Sequence, residues 1–188
     1  MQPPRTPANE ALRLQALKAT ELLDSGREEV FDSLTETARL AFDVPICALT
    51  LVDEHRQWFK SSHGLDVCET GRDISFCGHA IYHDDTLLVQ DALTDKRFAD
   101  NPLVTGEPHI RFYAGAPIRI DVFSETVDLG TVCIIDRRSR PFGASQAALL
   151  ESFARHAESL IQMHLVSRHL ELTCKQLQNA IRKLENSR

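Results

Sequence analysis

The sequence contains no apolar run approaching the ~20 residues that a helix needs to cross a bilayer. Its opening, MQPPRTPANE, holds no hydrophobic segment of the kind a secretory signal carries, so a cytoplasmic location is expected, with no membrane partner. It lacks GxxxxGK(S/T), GxSxG, HExxH and GxGxxG, which argues against a familiar nucleotide hydrolase, serine hydrolase or zinc protease. There is no CxxC. The five cysteines (Cys47, Cys68, Cys77, Cys133 and Cys174) are odd in number and scattered, so five reduced thiols are expected. Basic residues are in deficit. A formal charge of -6 leaves no footprint for nucleic acid, and none is expected as a partner. Aromatics are sparse at 6%, with a single tryptophan.

What is present is ordinary for a globular domain: 188 residues, 43% hydrophobic and 26% charged. Such a chain buries roughly 70% of its unfolded surface and needs no staples. Disorder as a whole, collagen and disulfide scaffolds are excluded. The charge is uneven. Residues 1–144 carry 15 Lys/Arg against 23 Asp/Glu, and residues 145–188 carry 6 against 4. An acidic globule with a mildly basic tail is implied.

Residues 1–8, with Pro3, Pro4 and Pro7, read as a loose lead-in. A helical pattern runs from Asn9 and is expected to stop at Gly26. A second helix carries Val30, Phe31, Leu34, Ala38 and Phe42 on one face and ends at Pro45. Ile46–Val52 is apolar on both alternations, Thr50 apart, and reads as a strand buried on both faces. Trp58-Phe59-Lys60-Ser61 reads as its returning hairpin partner. Residues 75–82 suggest a short helix, and 87–90 a short strand. Residues 91–110 form a long polar loop, which in a compact domain is usually functional. Residues 113–120 and 129–135 are two further strands, joined by a hairpin loop over 121–128. With few crossover helices, the order implies an antiparallel sheet flanked by helices.

From Gln146 to about Glu185 there is neither Gly nor Pro. At ~1.5 Å per residue this is a rod of roughly 60 Å, too long for one small domain. Its apolar residues repeat every 3.5. One seam position takes Phe153, Leu160, Ser167, Cys174 and Ile181. The other takes His156, Met163, Leu170, Leu177 and Leu184. This is a coiled-coil pattern, strongest after Leu170, and Leu170, Cys174, Leu177, Ile181 and Leu184 are expected to carry dimerisation.

The ordered motifs resemble a GAF domain of bacterial signalling proteins, over about residues 10–165. The resemblance rests on Val52-Asp53 with Trp58-Phe59-Lys60, Gly64-Leu65, Glu69-Thr70 and Arg72. It continues through Ser75-Phe76-Cys77-Gly78-His79-Ala80-Ile81 and Asp91-Ala92 with Asp95, Arg97-Phe98 and Asp100-Asn101-Pro102-Leu103-Val104. It closes on Ile110-Arg111-Phe112-Tyr113-Ala114-Gly115-Ala116-Pro117 and Leu129-Gly130-Thr131-Val132-Cys133-Ile134-Ile135-Asp136. It implies an α+β fold of GAF/PAS type. A central antiparallel sheet of five or six strands would carry the N- and C-terminal helices on one face and a small-molecule pocket on the other. The expected organisation is a lead-in over 1–8, a GAF domain over 9–165 and a coiled-coil signalling helix over 166–188. Such domains often precede a diguanylate cyclase or histidine kinase and dimerise through their helices. No motif of either output is present here. The 121–128 hairpin lacks the glycine often found there, which leaves its length and shape open.

The expected ligand-binding residues are Trp58, Arg72, Phe76, Cys77, His79, Asp91, Arg97, Arg111, Phe112 and Tyr113. Arginine offers a planar fork suited to carboxylates and phosphates. Arg72, Arg97 and Arg111 either pair internally with Asp91, Asp95 and Asp100 or leave one guanidinium, such as Arg111, for an anionic ligand. Trp58, Phe76, Phe112 and Tyr113 would then supply an apolar wall. Cys77-x-His79-x3-His83 has ligand-type side chains but no second pair, so no metal is expected. Cys77-Gly78-His79 is only a partial echo of a tetrapyrrole site, and no cofactor follows from it.

The leading expectation is a non-catalytic sensor module: an unidentified small molecule, a homodimer, and a C-terminal helix leading to an output domain or partner. Two alternatives stand beside it. One is the free methionine sulfoxide reductase class of GAF protein, with Cys77 and Cys68 as the thiol pair. The other is a ligand-free dimerisation module with a filled core.

Overall fold

The computed structural model describes residues 1–83, 85–122 and 124–185, the side chains of Leu184 and Glu185 excepted. Two helices, α1 (Glu10–Ala19) and α2 (Glu29–Phe42), precede β1 (Ile46–Val52), β2 (Arg56–His63) and β3 (Glu69–Gly71). A 3-10 turn, Arg72–Ile74, leads into α3 (Phe76–Ala80), then β4 (Leu87–Val89) and α4 (Pro102–Thr105). The long ribbon β5 (Phe112–Val122) and β6 (Glu125–Asp136) follows, and α5 (Ala144–Glu185) closes the chain. The six strands form one antiparallel sheet in the order β3-β2-β1-β6-β5-β4. The fold is the α+β arrangement that the sequence implies. Among the described residues no helix is long and apolar enough to cross a membrane.

Strand alternation divides the core into two layers. Cys47, Leu49 and Leu51 of β1, with Phe112, Ala114, Ala116 and Ile118 of β5, face α1, α2 and α5. Ile46, Ala48 and Val52, with Tyr113, Cys133 and Ile135, face α3 and the 91–110 segment. Both faces are apolar, so the sequence shows little alternation from which to read the phase. A bulge sets it in β2. Leu49 pairs with Ser61 and Thr50 with Phe59, which leaves Lys60 as the extra residue. Trp58 therefore joins the helix side, opposite Leu51, while Phe59 joins the other.

Several expectations are corrected here. α1 ends at Ala19 rather than Gly26; the Thr20 hydroxyl donates to the Leu17 carbonyl and accepts from the Leu22 N–H, turning the chain early. The β5–β6 ladder runs to the Val122–Glu125 pair, so the hairpin connection is two residues long rather than spanning 121–128. Arg119–Asp128 and Thr126–Asp121 contacts tie that extension together. The 91–110 segment is ordered by its own turns and contains α4, capped by Asn101 at the Leu103 N–H. The lead-in lies along α3: Gln2 N–H donates to the Arg97 carbonyl, and Pro4 rests on Gly78, where a Cβ would crowd it.

α5 changes character along its length. Leu150, Ala154, Ala157 and Ile161 are buried on the sheet, with Phe153 and Leu160 partly buried beside them. His164 and Arg168 still reach Glu28 and Glu21. Beyond Arg168 the helix runs on, exposed at Leu170, Cys174, Leu177 and Ile181. Leu184, the last expected seam residue, lies outside the described side chains.

Candidate functional site

On the face away from the long helices, a cavity of about 350 Å³ opens between the sheet and its covering segments. Gln57 and Phe59 of β2, Tyr113 of β5 and Ile135 of β6 form the floor. Phe76 and Cys77 of α3 form one wall, and Leu103 and Ile110 another. Gly64, Leu65 and Val67, between β2 and β3, complete it. Gly64 has φ +78 and packs on the Pro45 carbonyl, where any Cβ would collide, so glycine alone lets this loop fold over the sheet edge.

Local sequence fixes each wall. Ser75 caps α3, accepting from the Gly78 N–H at 2.8 Å, while its hydroxyl meets Gln57 Oε1. Phe76 stacks on Phe98 at 4.0 Å between ring centroids and tilts against Tyr113 at 5.1 Å. Phe98 thus carries the order of the 91–110 segment into α3. Asn101 Nδ2 donates to the Ile74 carbonyl at 3.0 Å, a second tie between the two.

The lining is mostly apolar, with polar groups from Gln57, Thr70 and Tyr113. Thr70 Oγ1 is buried and has no hydrogen-bond partner among the described residues. Such a group costs free energy unless something meets it. Asp66, Glu107 and Arg137 also line the cavity. All three are exposed, and the Arg137 guanidinium donates to the Pro108 carbonyl.

Of the ten expected binding residues, the structure brings Phe76, Cys77 and Tyr113 to the cavity. Trp58 and Phe112 lie in the helix-side core, because the β2 bulge and the phase of β5 turn them away. The arginines are held elsewhere. Arg72 donates to Glu10 at 2.5 Å and to the Asp53 carbonyl at 3.1 Å. Arg97 pairs with Asp95 at 2.7 Å. Arg111 donates to the Val104 and Ile110 carbonyls. Asp91 accepts from the Leu93 N–H in a turn, and Asp100 pairs with the amino terminus. His79 bonds the Gln2 carbonyl oxygen and stands edge-on to Phe98; burial, its leading influence, holds it below the usual histidine range. His83 stands edge-on to Tyr82.

Sequence reasoning missed Gln57, Phe59, Leu65, Thr70, Leu103, Ile110 and Ile135. Gly64-Leu65 and Glu69-Thr70 were visible as motifs, and a glycine where the backbone must cross a sheet edge was a usable signal. The phase of β5 was not. Cys68 is exposed, whereas Cys77 is buried against Cys133.

A family model described as the GAF domain matches residues 26–161. A cyclic di-GMP phosphodiesterase of Pseudomonas aeruginosa is 43% identical over 156 residues, which is 82% of this chain and 26% of that protein. The chain thus spans about a quarter of that relative's length. Among solved structures, the GAF domain of an Acinetobacter phosphoenolpyruvate-protein phosphotransferase is similar with TM-score 0.57 at 19% identity, covering 83% of this chain and 94% of the other. Free methionine-R-sulfoxide reductase of Neisseria meningitidis, solved with its substrate, gives TM-score 0.60 at 15% identity, covering 89% and 99%. At these identities the two structures speak for the fold alone.

Proposed function

Since the chain belongs to the GAF domain family, we propose that it is a sensor module. Its cavity takes a small, largely apolar molecule, and α5 carries the response to an output domain or partner. The observation that carries this reading is the cavity itself, of about 350 Å³, with the buried Thr70 hydroxyl left for a ligand. A ligand-free dimerisation module would fill that space. Apolar walls with a few fixed polar groups are what small-molecule sites usually have. Two carboxylates and one guanidinium at the lining disfavour a strongly anionic ligand, and the arginines expected to hold one are engaged elsewhere. A neutral or weakly cationic molecule with one hydrogen-bonding group suits Thr70, Gln57 and Tyr113.

The route to α5 is one sheet thick. Tyr113 and Ile135 are paired across β5 and β6 and line the cavity. Their neighbours Ala114 and Ile134, also a pair, belong to the core beneath the long helices. The exposed seam from Leu170 then offers a parallel dimer, which would carry both copies of the response in one direction. The relative that matches is a cyclic di-GMP phosphodiesterase, most of whose chain lies outside the match. An output in that class of signalling, or of diguanylate cyclase or histidine kinase type, and a cytoplasmic location belong to the same proposal.

Native mass spectrometry of the purified chain tests the ligand. The expected result is extra mass of a small molecule, absent from Ile135→Trp, which fills the floor. Bare protein, with no thermal shift in the presence of any neutral or cationic metabolite, would remove the sensor reading.

A further inference from the structure

One buried pair of groups carries chemistry that the ligand reading does not use. Cys77 on α3 and Cys133 in the middle of β6 face each other, with their sulfurs 3.8 Å apart. The Tyr113 hydroxyl donates to Cys77 Sγ at 3.3 Å. It reaches there because Gly115, two residues along the same strand, has no side chain; a Cβ would run into the tyrosine oxygen. Thr50 and Thr131, whose hydroxyls are 3.1 Å apart, close the ring from β1 and β6.

This setting differs from that of an inert core cysteine. Burial pushes the Cys47 thiol up to about 12. For Cys77 burial is again the leading influence and opposes ionisation. Hydrogen bonds from Cys133, Thr131, Thr50 and Tyr113 together outweigh it and hold this thiol below its ordinary value. Cys133 is pushed well up by the same contact. The pair is thus one thiol eased toward ionisation beside one held protonated, the arrangement in which one sulfur attacks and the other resolves. Cys77, though buried, is among the residues lining the cavity, which gives a small oxidant a route toward it, with Cys133 close behind.

We propose that Cys77 and Cys133 form a peroxide-reactive dithiol on the cavity wall, Cys77 attacking and Cys133 resolving. The Cys77 thiolate attacks one oxygen of hydrogen peroxide. An S–O bond forms, the O–O bond breaks, and the departing hydroxide takes up the proton Cys77 had released and leaves as water. Cys77 is now a sulfenic acid. Cys133 sulfur then attacks Cys77 sulfur. The S–S bond forms, the S–O bond breaks, and the hydroxyl leaves with the Cys133 proton as a second water. Two electrons pass from the pair to one peroxide. A disulfide needs about 2.05 Å between the sulfurs, so they must close by roughly half their present separation. The movable partner is α3, five residues long, whereas β6 is flanked by β1 and β5. Oxidation would draw one cavity wall onto the sheet. The pair stands whether or not the cavity binds a ligand.

The test uses the full chain with Cys68→Ser and Cys174→Ser, which remove the two exposed thiols. One equivalent of hydrogen peroxide should lower the intact mass by about 2 Da. Peptide mapping should join residue 77 to residue 133, and dithiothreitol should restore the starting mass. Adding Cys133→Ser should stop the reaction at a sulfenic acid on Cys77 that dimedone captures. Adding Cys77→Ser should abolish both products. The parent needs no core substitution, so mapping it decides the matter even where a core variant fails to fold. Free thiols at both positions after peroxide, or oxidation confined to Cys47, would overturn the proposal.

Discussion

At the scale of single residues, buried charges are held by named partners. Arg13 is fully buried on α1. Its guanidinium donates to both Glu10 oxygens at 2.8 Å and to the Val52 carbonyl at 2.6 Å. Glu10 also receives Arg72, so one carboxylate joins α1 to the β1–β2 turn and to the segment entering α3. Burial alone would raise its carboxyl; the hydrogen bonds and charges of Arg13 and Arg72 prevail and lower it from 4.5 to about 2. The sign follows. A depressed carboxyl stabilises the fold above its unfolded value and loses that contribution as pH falls through its folded one. Glu10 should therefore support stability at neutral pH and cease to between about pH 4.5 and 2. Glu10→Gln should cost on the order of 3 kcal/mol at pH 7 in urea unfolding. The variant's deficit should shrink toward pH 2; a constant deficit would show that packing, not charge, is what Glu10 provides. The Glu10–Arg13 pair sits at helical i,i+3 spacing and was open to reading; the Arg72 contact was not. Arg72 stood out as a candidate, but its partner lies 62 residues away, and chain spacing says nothing about such a contact.

Elements were easier to read where one period dominates. α2 and α5 were evident from their apolar spacing, and β1 from its unbroken apolar run. β3 and α4 were not, since three and four residues are too few for a period to show. The binding wall was half legible for a related reason. Both sheet faces are apolar, so Phe112 and Tyr113, or Trp58 and Phe59, could not be assigned to opposite layers without the register. The long helix shows the reverse case. Its heptad was visible, but the first half of the seam is spent on the domain's own sheet through Phe153 and Leu160. The exposed remainder makes a specific prediction. Leu177→Asp with Ile181→Asp should convert a dimer to a monomer by light scattering, with the domain's thermal unfolding unchanged. A dimer that persists would move the interface to another surface. In a parallel pair, Cys174 should also cross-link to its counterpart on mild oxidation.

Across the whole molecule, the sheet separates two kinds of task. One face takes the long helices, and the other holds the cavity together with its covering loop and α3. In the proposed sensor these faces communicate: what fills the cavity alters α5. Tyr113 and Ile135, next to Ala114 and Ile134 along β5 and β6, would form that connection. Such coupling requires two states that a ligand binds unequally. Hydrogen exchange measured along residues 144–185, comparing the wild type with Ile135→Trp, tests it most directly. Altered protection is expected in α5, reaching past Arg168 into the exposed seam. Changes confined to the cavity lining and α3, with α5 exchanging identically in both proteins, would contradict it.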